Sequence, residues 1–274
     1  MTTTLRPTEP LQRAADGTRS RHYQVCVNSR PVGTIHLGTL PGFGDTVAAI
    51  HDLRIDEADR RRGRATVAAL AAEEVARTWG CRQLAVTVPA DADAALRLVA
   101  ALGYVPRNRN MEKRLGDTPP ALPAGSRPRP MTREEFAAWR EYGTEEFARA
   151  WAERGIPEEV ARARSQRDDE ILLPQGPDTA DMLFTVVEHE DRPVGTLWLA
   201  LRAQDAYIYD VEVYAAHRGR GHGRTLMLVA EAQTIASGRR LLGLNVFADN
   251  TPAERLYESL GYETTRYGFY KPLL

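Results

Sequence analysis

The apolar and polar positions in the second half of the chain predict an ordered series of strands and helices. Apolar runs bounded by turn residues indicate five strands, which are MLFTVVEH (182–189), TLWLALR (196–202), AYIYDVEVY (206–214), LLGLNVFA (241–248) and YGFYKPL (267–273). We expect a helix over about 223–237, ended by Gly238, and another that starts at Asn250–Thr251 and ends at Gly261. Arg192–Gly195 is interpreted as a tight turn. Antiparallel strands followed by a β-α-β-α-β order predict an α+β fold.

The same pattern is present twice in the chain. RPVGTI at 30–35 nearly repeats as RPVGTL at 192–197. A single shift of 158 positions carries three landmarks of the first half onto the second: RRRGRA (60–65) onto RGRGHG (218–223), Leu102-Gly103-Tyr104 onto Leu260-Gly261-Tyr262, and Lys113 onto Lys271. The two halves are therefore predicted to be two copies of one fold.

A proline-rich stretch, residues 116–130, separates the copies. It holds five prolines and two glycines in fifteen residues. Because proline fixes φ and cannot donate a backbone hydrogen bond, we expect an extended linker there, between a first domain at 1–115 and a second at 131–274. Only the second copy carries a pair of helical patterns, at 132–151 and 157–173, before its first strand.

Composition narrows the functional class. The 274 residues are 43% apolar and 27% charged, which is ordinary for a globular protein with two cores. The net charge of −1 argues against nucleic acid as a partner. No run of about 18 apolar residues predicts a membrane span, and the N-terminus lacks a secretory pattern. Two isolated cysteines, Cys26 and Cys81, predict neither a disulfide scaffold nor a metal site, so we expect a reduced, cytoplasmic setting.

A glycine-rich stretch, Arg218–Gly223, lies between a predicted strand and a predicted helix. Glycines let the backbone approach a ligand closely, and a helix start presents free N–H groups with partial positive charge. Together with Arg218, Arg220 and Arg224 these features indicate a phosphate or diphosphate site. Neither GxxxxGK[ST] nor GxGxxG is matched. A glycine-rich turn with solvated arginines and a short RNA-binding tract remain alternatives.

Two motifs resemble the GNAT acetyltransferase superfamily. The pattern R-x-x-G-x-G matches Arg218, Gly221 and Gly223, and the pattern N-x-x-A-x-x-L-Y-x-x-x-G-[FY] is met by Asn250, Ala253, Leu256, Tyr257, Gly261 and Tyr262. The resemblance implies a tandem GNAT protein in which each domain has a mixed, mostly antiparallel sheet flanked by helices. It also implies acetyl-CoA, or another acyl-CoA, as co-substrate and direct acyl transfer to an amine.

The resemblance further implies which residues bind the co-substrate. The amides from Gly219 to Arg224 would hold its diphosphate, and the strand Val211–Val213 would pair with its pantetheine arm. The N–H of Val213 would then face the thioester carbonyl. The expected binding residues are Val211, Val213, Arg218, Gly219, Arg220, Gly221, His222, Gly223, Arg224 and Asn250.

Three residues are candidates for proton transfer. Tyr257 falls at the family position whose phenol protonates the departing thiolate, although a core tyrosine is the alternative. Glu212 and Asp210 share one face of the predicted strand, since alternate residues do. Glu212 is the candidate base, with a solvated strand residue as the alternative, whereas a structural role is favoured for Asp210. Many family members place a carboxylate at the position of Tyr209, so this chain departs from the family pattern there.

The first copy is predicted to be degenerate. Its residues at the positions of Gly219, Gly223, Asn250 and Tyr257 are Arg61, Ala65, Ala92 and Val99. We expect the acceptor, a small-molecule amine or a protein amine, between the strand near Tyr207–Val211 and helices that carry Trp139, Tyr142, Phe147 and Trp151. A catalytically silent acyl-CoA sensor and a structural protein remain alternative functions, and a monomer and a homodimer remain alternative assemblies.

Overall fold

The structure is a computed structural model that describes residues 3–273. Positions 1, 2 and 274, the outermost residues of the two predicted domains, lie outside the described residues. The first half of the chain forms seven strands and two helices in the order β1 (Thr3–Pro7), β2 (Gln12–Arg13), β3 (Arg19–Val27), β4 (Arg30–Thr39), β5 (Val47–Ile55), α1 (Arg64–Thr78), β6 (Gln83–Pro89), α2 (Asp93–Ala101) and β7 (Val105–Arg114).

The second half repeats this order behind a pair of added helices. Its elements are β8 (Ser126–Pro130), α3 (Arg133–Ala152), α4 (Glu158–Leu172), β9 (Met182–His189), β10 (Arg192–Leu201), β11 (Ala206–Val213), α5 (His222–Ala236), β12 (Leu241–Phe247), α6 (Thr251–Ser259) and β13 (Glu263–Pro272). The turn predicted at Arg192–Gly195 is wrong by a few residues. Glu190 and Asp191 make it, with φ of 52° and 58°, and β10 already begins at Arg192.

The chain packs into two compact units, which do not coincide with the two sequence copies. Unit 1 comprises the residues up to 107 together with 147–167 and those from 266 onward, and unit 2 comprises 108–146 and 168–265. Most of β7, the last strand of the first copy, therefore belongs to unit 2. Most of β13, the last strand of the second copy, belongs to unit 1, as do the end of α3 and most of α4. None of the helices in the described part of the chain combines the length and apolar character that a membrane crossing requires.

Each unit is built around one mixed, mostly antiparallel sheet. In unit 1 the strand order is β1-β3-β4-β5-β6-β13, with β2 beside β3, and only β5 and β6 run parallel. In unit 2 the order is β7-β12-β11-β10-β9-β8, and only β11 and β12 run parallel. The α+β fold with helices against each sheet is confirmed. The end of the predicted linker forms β8, which pairs with β9.

The helices that follow the glycine-rich turns have matching buried faces. Helix α1 buries Ala68, Ala72 and Ala76, which recur every four residues. Helix α5 buries residues at the same three positions of the repeat, which are Leu226, Ala230 and Thr234. Burial of these faces holds each helix against its sheet and thereby fixes the start of the helix at the end of β5 or β11.

Strands β7 and β13 complete sheets other than those of their own sequence copies. Residues 266–272 of β13 pair with 83–89 of β6, and residues 108–114 of β7 pair with 241–247 of β12. The segment YGFYKPL is a strand, as predicted, and it pairs with β6 of the first copy. Phe269 packs against the core of unit 1.

A gap opens between β11 and β12 in unit 2. The two strands pair only at Ala206–Ile208 of β11, although β11 continues to Val213 and β12 to Phe247. Along the other edge of β11, the register with β10 shifts between Trp198 and Leu199. Tyr209 is the extra residue of this β-bulge, and a bulge re-aims the side chains that follow it. As a result, Tyr209 stacks on Trp198 of β10, and the next residue, Asp210, faces α3 on the same side of the sheet, where it bonds with Trp139.

Candidate active site

The glycine-rich turn has the backbone conformation that only glycine adopts easily. Gly219 and Gly221 have φ of +74° and +87°, and Gly221 is the N-cap residue of α5. A Cβ atom at either glycine would meet no other atom within 4 Å, so the space in front of both is open. The first N–H groups of α5 face this space without partners inside the helix. The arrangement suits an anion such as a diphosphate.

The arginine side chains at this turn are anchored to the protein. Arg218 Nε donates to Val213 O at 3.1 Å, and Arg224 Nη2 donates to Ser259 Oγ at 2.7 Å. In unit 1 the equivalent Arg60 Nε donates to Ile55 O at 2.9 Å. Because both copies keep this bond, the main effect of Arg218 is to fasten the turn to the end of its strand.

Two other predicted binding residues also have structural contacts. His222 is 7% exposed, and its ring packs 5.1 Å from His189 and 6.1 Å from His217, so only its backbone can face the open space. Burial, with these two histidines and Arg220, lowers the pKa of His222. Asn250 is the N-cap of α6, and its Oδ1 accepts from Ala253 N at 3.3 Å.

The backbone of β11 offers donors to the gap. Tyr214 N donates across to Val194 O of β10 at 3.0 Å. Since backbone N–H groups alternate in direction along a strand, the N–H of Val213 points away from β10 and toward the gap. The N–H of Val211 points the same way, where it also bonds with the carboxylate of Asp210.

Tyr257 of α6 and Asp210 of β11 are near enough to interact electrostatically. Tyr257 projects from α6, is 7% exposed and has its pKa raised to about 12 by burial and by the charge of Asp210. Asp210 Oδ2 accepts from Trp139 Nε1 at 3.0 Å, and burial raises the pKa of this carboxyl. The phenol therefore stays protonated over the physiological range and is available as a proton donor.

Glu212 faces α3 on the same side of β11. Burial and the neighbouring charges of Asp210 and Glu146 raise its pKa, whereas Arg218, at 3.5 Å, and the hydroxyl of Tyr142 lower it. The net shift is upward, which makes Glu212 a better proton acceptor near neutral pH than an ordinary glutamate.

The position of Glu212 depends on Gly195, which is not among the predicted site residues. A Cβ atom at Gly195 would lie 2.2 Å from Glu212 O, so only glycine permits β10 to approach β11 here. Gly33 has the same relationship to Arg54 O in unit 1, at 2.1 Å. The signal was present in the sequence, since both glycines lie in the repeated RPVGT segment.

The structure brings only part of the predicted acceptor pocket to β11. Trp139 and Tyr142 contact Asp210 and Glu212, as described above. Phe147 and Trp151 belong to unit 1, where the Trp151 ring packs 4.8 Å from Phe43. Their assignment to this pocket is corrected, because the far end of α3 packs on a different core.

A sheet with a gap between two parallel strands, beside a glycine-rich helix start, a buried tyrosine and buried carboxyl groups, is the arrangement expected of an acyltransferase that uses an acyl-CoA donor. The chain belongs to the Acetyltransferase (GNAT) family, whose sequence profile matches residues 2–104 and 136–262. The two matched regions make it a tandem GNAT protein, and the enzyme class expected from the sequence is confirmed. The usual donor of the family, acetyl-CoA, and an amine acceptor follow from this membership.

Relatives of known sequence or structure agree with this assignment. The uncharacterized N-acetyltransferase YycN of Bacillus subtilis (strain 168) is 33% identical over 143 residues, which cover 50% of this chain and 91% of the relative. A GCN5-related N-acetyltransferase from Sphaerobacter thermophilus matches with a TM-score of 0.62 at 23% identity, covering 92% of this chain and 80% of that chain. A tandem GNAT protein from the clavulanic acid biosynthesis pathway matches with a TM-score of 0.56 at 21% identity, covering 96% and 85%. The two solved structures share the fold.

Proposed function

We propose that unit 2 transfers an acetyl group from acetyl-CoA directly to an amine, and that the first copy is a non-catalytic relative of it. One observation carries the proposal. The start of α5, the end of β11 and α6 meet beside the β11–β12 gap, since a Cβ atom at Gly223 would lie 3.1 Å from Leu256 Cδ2 and 3.8 Å from Val213 Cγ2. This supports one site for the candidate base Glu212 and the candidate acid Tyr257.

The residues around the gap fit an acyl-CoA donor. The open space in front of Gly219 and Gly221 and the start of α5 suit the diphosphate. The unpaired edge of β11 beyond Ile208 suits the pantetheine amides, and the N–H of Val213 suits the carbonyl oxygen of the thioester. Arg220, which is exposed in the same turn, adds positive charge. Arg218 and Arg224 act by holding the turn in place.

The reaction needs a base because the acceptor is a cation. An alkylamine with a pKa near 10.4 is neutral in only about 1 in 2,500 molecules at pH 7. Glu212 takes a proton from the ammonium, the nitrogen attacks the thioester carbonyl, a C–N bond forms and the C–S bond breaks. Tyr257 gives its phenolic proton to the departing sulfur. The nitrogen loses two protons overall, of which one restores Tyr257 and the other is released to solvent.

The corresponding positions of the first copy lack this chemistry. Arg54 replaces Glu212, and its guanidinium lies 3.2 Å from Asp52, so the strand carries a neutral ion pair. Val99, a buried core residue, replaces Tyr257. The N-cap of α2 is Ala92, which forms no side-chain cap bond, where Asn250 caps α6. The turn itself keeps its shape, since Arg61 and Gly63 have φ of 57° and 73°.

The test combines donor binding with turnover. Acetyl-CoA is expected to raise the melting temperature of the full chain, because a ligand that binds only the folded state stabilises it. Thiol release in the presence of a broad amine panel, with mass detection of the N-acetyl product, measures transfer. Stabilisation without any product would indicate an acyl-CoA sensor, and absence of both would indicate a structural protein.

A further inference from the structure

Three histidines stack on one another across the sheet of unit 1. The ring centroids of His22 on β3 and His36 on β4 lie 3.9 Å apart, with 12° between the ring planes, and the ring of His51 on β5 follows at 4.8 Å from His36. His22 and His36 are directly opposite each other, and His51 is the extra residue of a β-bulge between β4 and β5. We call these three residues the histidine ladder.

Unit 2 has a stack of uncharged aromatic rings at the same three positions of the repeat. Trp198 of β10 is opposite Phe184 of β9, and Tyr209 is the bulge residue of β11. The Trp198 ring lies 5.7 Å from that of Phe184 and 4.6 Å from that of Tyr209. Both units therefore keep contact between rings here, but in unit 1 every ring is an imidazole, the side chain that ordinarily gains its proton between pH 5 and 8.

The histidine ladder is open to solvent. In unit 2, α3 covers the aromatic stack, and the Trp139 ring lies 5.6 Å from that of Trp198. In unit 1, His22 and His51 are exposed and His36 is partly buried. Protons from solvent therefore reach the outer rings of the ladder without any opening of the fold.

The His22 end of the ladder is suited to take the first proton. His22 Nδ1 lies 2.8 Å from Glu9 Oε1, and a hydrogen bond to a carboxylate stabilises an imidazolium. The same contact lowers the pKa of the Glu9 carboxyl. A positive charge on His22 then lies one ring away from His36.

The other two rings resist a second proton. Burial, followed by the charges of His22 and His51, lowers the pKa of His36, and the opposing effects of Glu9 and Asp52 do not reverse the shift. Burial and the charge of His22 also lower the pKa of His51. Stacking within 5 Å is the geometric reason, since like charges at such separations repel even near a protein surface.

The remaining polar neighbours do little to neutralise a second proton. Ser20 Oγ, a neutral group, lies 2.7 Å from Nε2 of the middle ring. Asp52 of β5 is opposite that ring, but it already forms an ion pair with Arg54 at 3.2 Å. His51 is confined against β4, because a Cβ atom at Gly38 would lie 2.8 Å from its Nε2.

We propose that the histidine ladder makes the β3–β4–β5 part of unit 1 acid-sensitive, because a second proton on the stacked rings loosens this part of the sheet as the pH falls below about 6.5. In the unfolded chain the three histidines are separate and take up protons at their ordinary pKa. The folded ladder binds fewer protons, so the free energy of unfolding decreases as the pH falls from there toward the lowered pKa values of His36 and His51. The aromatic stack of unit 2 has no group that gains a proton in this range.

Hydrogen exchange of the full chain without acetyl-CoA tests the proposal. We expect the protection factors of amides in β3, β4 and β5, corrected for intrinsic exchange rates, to fall about tenfold between about pH 7.5 and about pH 5.5. In His36→Gln, which removes the middle imidazole, the fall should be less than about threefold. His217→Gln removes a histidine of unit 2 and should respond as the wild type does. A wild-type change below about twofold, or an equal change in His36→Gln, would overturn the proposal.

A titration of the histidine ring protons by NMR tests the coupling between the rings directly, and it does not need the middle residue to be replaced. In His51→Gln, which keeps the contact between His22 and Glu9, we expect His36 to gain its proton at a higher pH than in the wild type, because one positive neighbour is gone. In His217→Gln the His36 titration should be unchanged. The same His36 titration in His51→Gln and in the wild type would show that the stacked rings do not interact and would contradict the proposal, whatever the stability of His36→Gln.

Discussion

The ammonium of Lys271 lies 2.8 Å from both carboxylate oxygens of Glu73, although 198 positions separate the two residues in the chain. The equivalent pair of the repeat is present in unit 2, where Lys113 Nζ lies 2.7 Å from Glu231 Oε1. A shift of 158 positions carries Lys113 onto Lys271 and Glu73 onto Glu231. Each lysine thus joins the last strand of one copy to a helix of the other, and the two pairs secure the exchanged strands β7 and β13.

Replacing Lys271 is expected to destabilise unit 1. Lys271→Met leaves Glu73, which is 3% exposed, with only the longer 4.0 Å contact to Arg77. The expected loss is about 2 kcal/mol in the free energy of unfolding, less than for a fully buried pair because Lys271 is partly exposed. Denaturant titration measures it. Arg162→Met removes an exposed pair with Glu158 and is expected to cost less than about 0.5 kcal/mol. Equal losses of unfolding free energy in the two variants would mean that the Lys271–Glu73 pair stabilises the fold no more than an exposed ion pair does.

Removing the phenolic hydroxyl of Tyr257 is expected to slow turnover while donor binding is kept. Tyr257→Phe should lower kcat by about 100-fold or more, the usual contribution of a general acid, and leave the affinity for acetyl-CoA within about twofold. Tyr262→Phe is the matched control, since its ring lies 6.1 Å from that of Tyr257 in the same core. Steady-state kinetics and calorimetric titration separate the two effects. Full activity in Tyr257→Phe would remove this residue from the mechanism.

A carboxylate in front of α5 is expected to abolish donor binding. Gly221→Glu places bulk and negative charge where the diphosphate is proposed to lie, so acetyl-CoA should no longer raise the melting temperature. Gly63→Glu makes the same change at the N-cap of α1, where φ is +73° and the space is equally open. Both variants place a glutamate in the left-handed backbone region and add one negative charge. They differ only in whether that charge lies at the start of α1 in unit 1 or at the start of α5 in unit 2. Loss of binding in Gly63→Glu alone would move the donor site to unit 1.

The pH dependence of turnover is expected to follow the charges around Glu212. As a base, Glu212 must lose its proton, so kcat/KM for the amine rises with pH through the pKa of Glu212. Arg218 lowers that pKa and Glu146 raises it. Arg218→Gln should therefore move the rising limb to higher pH, and Glu146→Gln should move it to lower pH. Profiles are measured at saturating acetyl-CoA, so that loosening of the turn does not contribute. Shifts in the same direction for both variants would exclude Glu212 as the titrating group.

The local pattern of apolar, glycine and capping residues was enough to predict the positions of most strands and helices. The strand expected at 182–189 has those bounds, and α5 differs from its expected range by one residue at each end. The partner of β13 was not readable, because strand pairing between distant segments leaves little trace in either segment. The repeated lysines at 113 and 271 were visible, but the sequence alone did not say which glutamates they bind.

The sequence predicted the individual residues of the candidate site, but it did not predict how they are arranged in space. Glycine spacing and the motif around Tyr257 pointed to residues that the structure gathers at one gap. The β-bulge at Tyr209 was not visible, since inserting one residue into a strand has no sequence signature as strong as a helix cap. The bulge turns Asp210 to the side of α3, which the alternation of residues along a regular strand does not predict.

Because β7 and β13 pair with strands of the other copy, the sheet of unit 1 can be completed only after the second copy has been synthesised. Synthesis proceeds from the N-terminus, and domains generally fold as they emerge from the ribosome. The strand that completes the sheet of unit 1, β13, belongs to the second copy, so the edge of β6 stays unpaired until that copy has been synthesised. A chain that stops before β13 would therefore lack the strand that pairs with β6 in unit 1, whereas the β7 strand that pairs with β12 in unit 2 would already be present.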